Sequence, residues 1–304
     1  MTAFRCSVAA TARGDALAGT ASTVRAFLLL EEAGPWGRTA WRDARLPEGL
    51  GAEVTRRSAS AGVRPLLIRQ DSRRHQRVRR LFTAYVDPAG PAWVEAGEVD
   101  DPRAVLDLDL DGLGAGRTSG LDRWAEPVFA VCVHGRHDTC CAERGRPVLH
   151  ALTDAEPEAT WGVSHIGGDR YAGNLLVLPG GLYYGRLDPA RAVTVAAQFR
   201  SGHLDLDRLR GRSCWPMPVQ AAEIALRRRL EATALEAVRL VGHTGDPDRV
   251  TARFATDRGT WEVGVEAVRS APTALTCHAG SLSPDVHWTP RSIRPSGSTG
   301  APVG

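Results

Sequence analysis

The chain predicts a mixed α/β protein: two similar units in tandem, then a smaller α+β appendage. Three observations lead there. Short apolar runs rich in β-branched residues alternate with helical stretches from residue 24 to residue 203. The order of these stretches occurs twice. After residue 205 the pattern changes to one strong helix and several short strands.

The second copy is the clearer one. "PVFAVCVHG", from Pro127, is an apolar run suited to a buried strand. "RPVLHALTD" predicts a short helix, with Pro147 in its first turn and Val148, Leu149 and Leu152 on one face. "ATWGVSHIG" predicts a second strand, and "NLLVLPGGLYYGRLD" a hairpin turning at Pro-Gly-Gly. "DPARAVTVAAQFRSGHL" predicts a helix with Asp188 as N-cap and Pro189 at its first position. Strand, helix, strand, hairpin, helix is the thioredoxin-like arrangement.

The first copy repeats that order. "VRAFLLLEEAG" and "VRPLLIRQ" predict strands around a helix in "PEGLGAEVTRRSAS". "RRLFTAYVDPAGPAWVEAGEV" predicts a hairpin around Asp-Pro-Ala-Gly. "DDPRAVLDLDL" opens a helix, and its Asp101 to Val105 echoes Asp188 to Val193. Three domains follow: a thioredoxin-like unit without the Cys/His cluster plus a Gly-rich linker at 112–124 (1–124), a second thioredoxin-like unit (125–205), and the α+β appendage (206–304). The appendage is expected to hold the helix "PVQAAEIALRRRLEATAL", the strands "AVRLVGHT", "RVTARFATD" and "TWEVGVEAV", and a disordered tail "RPSGSTGAPVG".

Composition narrows the function. The 304 residues carry a formal net charge of +3, and all 38 basic residues are arginine. So balanced a chain gives no general case for nucleic-acid binding. The early run "AFLLL" is too short to span a bilayer, and no targeting segment is visible. A soluble cytoplasmic protein is the expectation. There, disulfides are disfavoured and clustered cysteines point to metal or redox chemistry.

Such a cluster exists. Three of the six cysteines fall in "CVHGRHDTCC", and four of the nine histidines (His134, His137, His150, His165) lie between 132 and 165. Cys132 ends the first strand of the second unit, and Cys141 precedes its helix. His165 ends the second strand, and Asp169 follows across Gly167 and Gly168, which would let the backbone approach a cofactor closely. Strand ends on one side of such a sheet bring both pairs together. Thiolates suit iron–sulfur clusters or zinc, and imidazole suits iron or zinc.

"CVHGRHDTCCAERGRP", "SHIGGDRYAGNLLVLPGGLYYGRLD" and "RSCWPMPVQAAE" resemble the sucrase/ferredoxin-like family, as do "RGDALAGTAS" and "GPWGRTAW" near the N-terminus. The resemblance covers most of the chain to about residue 225. It implies a thioredoxin-like ferredoxin domain carrying a 2Fe-2S cluster. Eukaryotic relatives hold that cluster with two cysteines spaced like Cys132 and Cys141, and with both histidines of a His-x-Gly-Gly-His box. The first histidine maps onto His165. The second maps onto Asp169, where this chain departs from the pattern.

Asp169 is therefore the leading candidate for the fourth ligand by alignment with the box. Cys140 is the alternative, with His134, His137 or water behind it. Zinc is the rival metal, since two thiolates, a histidine and an aspartate can close a tetrahedral structural site. Other chemistries fare worse. Cys132-Val133-His134 matches half of a Rieske motif, but the downstream Cys-x-x-His is absent. There is no Cys-x-x-Cys for thioredoxin-type disulfide exchange. No carboxylate pair stands out for glycoside hydrolysis.

The expected function is one-electron transfer rather than chemistry on a substrate. The alternative is a non-redox binding module stapled by zinc. An unknown redox partner is expected, and the basic run "RRHQRVRR", Arg73 to Arg80, is the candidate docking surface against the simpler reading of a solvated strand edge. Cys214 is expected to be a buried, inert thiol. Cys6 and Cys277 carry no functional expectation.

Overall fold

The computed structural model describes residues 3–73, 77–87, 90 and 92–296. Its first half contains helices α1 (Cys6–Ala12), α2 (Ala40–Asp43), α3 (Leu50–Ser60) and α4 (Leu110–Gly114). It also contains strands β1 (Ala26–Glu31), β2 (Val63–Arg69), β3 (Arg79–Tyr85), β4 (Trp93–Val99) and β5 (Asp122–Trp124). The second half comprises β6 (Val128–Cys132), α5 (Thr139–Ala155), β7 (Thr160–Val163), β8 (Leu175–Leu178), β9 (Leu182–Tyr184), α6 (Pro189–Arg200) and β10 (Leu209–Arg212). These ten strands form one mixed sheet in the order β10-β9-β8-β6-β7-β2-β1-β3-β4-β5.

The two halves share a pairing scheme. β1 runs parallel to β2 and antiparallel to β3, which pairs with β4. Likewise β6 runs parallel to β7 and antiparallel to β8, which pairs with β9. The halves meet where β2 and β7 pair antiparallel, at Ile68 opposite Val163 and Arg69 opposite Gly162. β1 and β6 lie inside the sheet with every residue buried. That is why they read as continuous apolar runs rather than alternating ones.

Several elements differ from the sequence reading. α5 begins at Thr139, seven residues earlier than "RPVLHALTD". Asp138 is its N-cap and accepts from the Cys140 N–H at 2.9 Å, so Cys140 and Cys141 lie in its first turn and Pro147 in its interior. "DDPRAVLDLDL" forms a 3₁₀ turn at Pro102–Asp107 before the short α4. The stretch expected as a linker, 112–124, supplies the end of α4 and the edge strand β5. β10 closes the opposite edge and had no sequence signal of its own.

The rest of the chain forms α7 (Met217–Leu230) and an antiparallel sheet of β11 (Arg239–Gly245), β12 (Arg249–Thr256), β13 (Gly259–Arg269) and β14 (Val286–Pro295). Val219, Ala222 and Leu226 of α7 share one core with Ala252, Phe254 and Val263 of the small sheet and with Phe82 and Trp161 of the large one. The small sheet is thus packed onto the body through α7. The tail expected to be disordered from Arg294 begins inside β14; residues 297–304 lie outside the described residues. Among the described residues no helix is long and apolar enough to cross a membrane.

Candidate metal centre

The parallel strands β6 and β7 end side by side, and α5 starts above them. This geometry brings the residues expected as ligands into two overlapping groups. Ligand atoms of Cys132, Cys141 and His165 all lie within 4.8 Å of one another, as do those of His137, His165 and Asp169. Cys141 Sγ is 3.2 Å from Asp169 Oδ1, and His165 Nδ1 is 3.0 Å from the same oxygen. The two thiols and the carboxylate are buried, whereas His137 and His165 are part-exposed and stack with ring centroids 3.8 Å apart.

Cys140, the alternative fourth ligand, does not join this group. Its sulfur turns to Cys6, Cys277 and Asp138 instead. His134 has no free ring nitrogen. Its Nε2 is 2.9 Å from the Gly37 carbonyl, to which it donates, and its Nδ1 accepts from the His165 backbone N–H at 3.2 Å. Burial pushes its pKa down, which keeps the ring neutral with one donor and one acceptor. His134 therefore fixes the backbone of His165.

The loop after His165 is held from beneath. Gly167 and Gly168 adopt φ of +96° and +83°, a conformation open to glycine. A Cβ on Gly168 would meet the Arg210 guanidinium. That buried guanidinium donates to Gly167 O and Asn174 Oδ1, both at 2.9 Å, and to Thr20 O at 2.5 Å. The Asn174 amide donates to Gly168 O at 2.8 Å. The first half of the chain braces the same loop: Arg64 donates to His165 O at 3.2 Å, and Ser22 Oγ to Ile166 O at 3.1 Å. Trp36, beside Gly37, sets its ring edge-on to His134 at 5.8 Å.

Electrostatics follow from this crowding. The Cys132 thiol is driven well down by the hydrogen bond from Cys141, with His165 adding to it against burial. Cys141 is driven up by that same bond and by burial. Burial opposes a charged His165, but the Asp169 carboxylate and the Cys132 sulfur outweigh it and raise the pKa to about 9. Burial likewise opposes the Asp169 carboxylate, yet His165 holds it below the usual range.

These residues fit a metal or cluster. His165 Nδ1 is buried without an aligned hydrogen bond, although Asp169 is close. Two overlapping groups, Cys132–Cys141–His165 and His137–His165–Asp169, share His165 and together offer a mixed soft-and-hard donor set.

The remaining predicted residues fall elsewhere. Of the basic run, Arg73 pairs with Glu31 at 3.0 Å and Arg80 with Glu98 at 3.1 Å, while residues 74–76 lie outside the described residues. Cys214 is buried, and burial lifts its thiol to about 12. Sequence reasoning missed the bracing roles of His134 and Arg210, and it missed that Cys6, Cys140 and Cys277 converge. Their spacing of more than 130 positions leaves no local signal.

A family model described as sucrase/ferredoxin-like matches residues 17–211. No curated protein and no solved structure matches the chain.

Proposed function

This chain belongs to the sucrase/ferredoxin-like family, and from that premise we propose that it is a one-electron carrier holding a 2Fe-2S cluster through Cys132, Cys141, His165 and Asp169. The observation that carries this reading is that Cys132, Cys141 and His165 meet where β6, β7 and the first turn of α5 converge, with Asp169 against both Cys141 and His165. On this reading residues 125–205 are a thioredoxin-like ferredoxin domain. Residues 1–124 are a related unit without ligands, and residues 206–304 an appendage. The protein would work in a reducing, cytoplasm-like compartment, where its thiols stay free.

A bound cluster would supply a site that accepts and releases single electrons without bond chemistry on a substrate. The residues of the chain do the rest. Cys132 and Cys141 bind from the buried side. His165 binds from the solvent side, with its backbone fixed by His134 and Arg64. Asp169 supplies the anionic oxygen where relatives of the resemblance carry a second histidine. A redox partner would approach at the part-exposed edge formed by His137 and His165.

Anaerobic purification of the full chain tests this. The expected product is brown, with iron and acid-labile sulfide in equal amounts, and Cys132→Ala abolishes the colour. Asp169→Ala should shift or bleach the visible absorbance while Cys140→Ala leaves it. A colourless protein from which Cys132→Ala removes one zinc would replace this reading with a structural zinc site.

A further inference from the structure

Three cysteines outside that site come together on its far side. Cys6 opens α1, Cys140 lies in the first turn of α5, and Cys277 comes from the connection between β13 and β14. Cys140 Sγ is 3.3 Å from Cys277 Sγ, and Cys277 Sγ is 3.6 Å from Cys6 Sγ. Both carboxylate oxygens of Asp138 face Cys6 Sγ, at 3.6 and 3.7 Å. One ligand atom from each of these four residues lies within 4.8 Å of all the others. Cys6, Asp138 and Cys140 are buried, and Cys277 is half-buried.

The spacing is that of a coordination shell. Zinc–sulfur bonds of about 2.3 Å at tetrahedral angles set sulfurs about 3.8 Å apart, and a carboxylate oxygen about 3.5 Å from each sulfur. The Cys140–Cys277, Cys277–Cys6 and Asp138–Cys6 separations lie within about half an ångström of those values, and the other pairs lie within 4.8 Å. A disulfide would use two of the three sulfurs, drawn to about 2.05 Å, and would leave the third thiol and the carboxylate without a purpose.

Two further features fit a metal site. The Asp138 oxygens accept from the backbone N–H of Cys140 at 2.9 Å and of Cys277 at 2.7 Å, which fixes two of the cysteine carriers. Ser7 Oγ donates to Cys140 Sγ at 3.2 Å, as it would to a thiolate. Charge is the other argument. Four groups that ionise to anions are packed together, and the neighbouring Arg5 is engaged by Glu143 at 2.6 and 2.7 Å. A divalent cation is the natural compensation for such a set.

We propose that Cys6, Cys140, Cys277 and Asp138 form a second metal site, for a thiophilic divalent cation of the zinc class. It ties the N-terminal helix and the β13–β14 connection to the helix turn that carries Cys141. The site is structural, with no open coordination position required. It also gives the C-terminal segment a role: delivering Cys277. The latch continues at Arg170, next to Asp169, which donates to Asp285 at 2.5 Å.

The test is elemental analysis of the full chain, purified anaerobically without added chelator. Wild type should carry about one zinc per chain in addition to the occupant of the first site. Cys277→Ser and Cys6→Ser should each lose that zinc while the iron and colour of the first site remain. Cys132→Ala should do the reverse, so failure here is separable from failure of the electron-carrier reading. In wild type, iodoacetamide should leave the half-buried Cys277 unmodified until a chelator removes the metal, a readout independent of variant folding. Unchanged zinc content in Cys277→Ser would overturn the proposal. So would a Cys140–Cys277 or Cys6–Cys277 disulfide in non-reducing peptide maps of the anaerobic protein.

Discussion

Single residues decide the shape of the ligand loop. Gly168 is held at a φ of +83° with the Arg210 guanidinium where a Cβ would project. Gly168→Ala should cost about 1–2 kcal/mol for the left-handed backbone alone. It should also displace Arg210 from Gly167 O, lowering the melting temperature and altering the visible spectrum of the loaded protein. Cys214 gives the opposite kind of prediction. Burial raises its thiol from 9.0 to about 12, so it stays protonated through pH 9. Native protein should therefore show no alkylation at Cys214 by iodoacetamide at pH 8, whereas protein unfolded in guanidinium should react there fully. His165 and Asp169 were legible in the sequence because the Gly-Gly between them marks a close backbone approach. Arg210 was not, because two of its four acceptors are backbone carbonyls, at Thr20 and Gly167, which leave no trace in side-chain pattern, and the side-chain two, on Thr20 and Asn174, are far from it in sequence.

At the scale of elements, the seam between the halves is short. β2 and β7 pair over two residues, extended by Ser164, whose N–H donates to Leu67 O at 2.8 Å and whose Oγ accepts from Leu67 N–H at 3.0 Å. Ser164→Ala leaves that buried N–H without its acceptor. It should destabilise the protein by about 1–3 kcal/mol, read as a lower urea midpoint at unchanged slope. The repeated strand order was readable because β1 and β6 carry the apolar runs Ala26–Leu30 and Val128–Cys132. The start of α5 was not. Pro147 imitates a first-turn proline, while the true cap, Asp138, sits behind a Cys-Cys pair that reads as loop. Once Asp138 is recognised as the cap, Cys140 and Cys141 become neighbours on a helical turn, their side chains directed about 100° apart. That divergence is how one dipeptide serves two clusters.

For the whole molecule, α7 is the joint between the large and small sheets. Its buried Glu223 accepts from two guanidiniums, the buried Arg227 at 2.8 Å and the part-buried Arg212 at 3.1 Å. Glu223→Ala would leave the buried Arg227 cation without its counter-charge and should cost about 3–5 kcal/mol, measured by chemical denaturation of the full chain. The sequence pattern identified α7 and three strands of the small sheet but not β14, whose end it assigned to the tail. It did not reveal their attachment, which rests on apolar contacts between residues far apart in the chain. The bracing of His134 by Gly37 and Trp36, and of the 165–167 backbone by Arg64 and Ser22, has a wider consequence. The strand order is symmetric about the β2–β7 seam, so the first half stands to the second as one subunit stands to its mate in a twofold dimer, here within one chain. The loop of the first half between β1 and α3 walls the corner where His134 holds the His165 backbone, a contact that two identical subunits would have to make twice with one sequence.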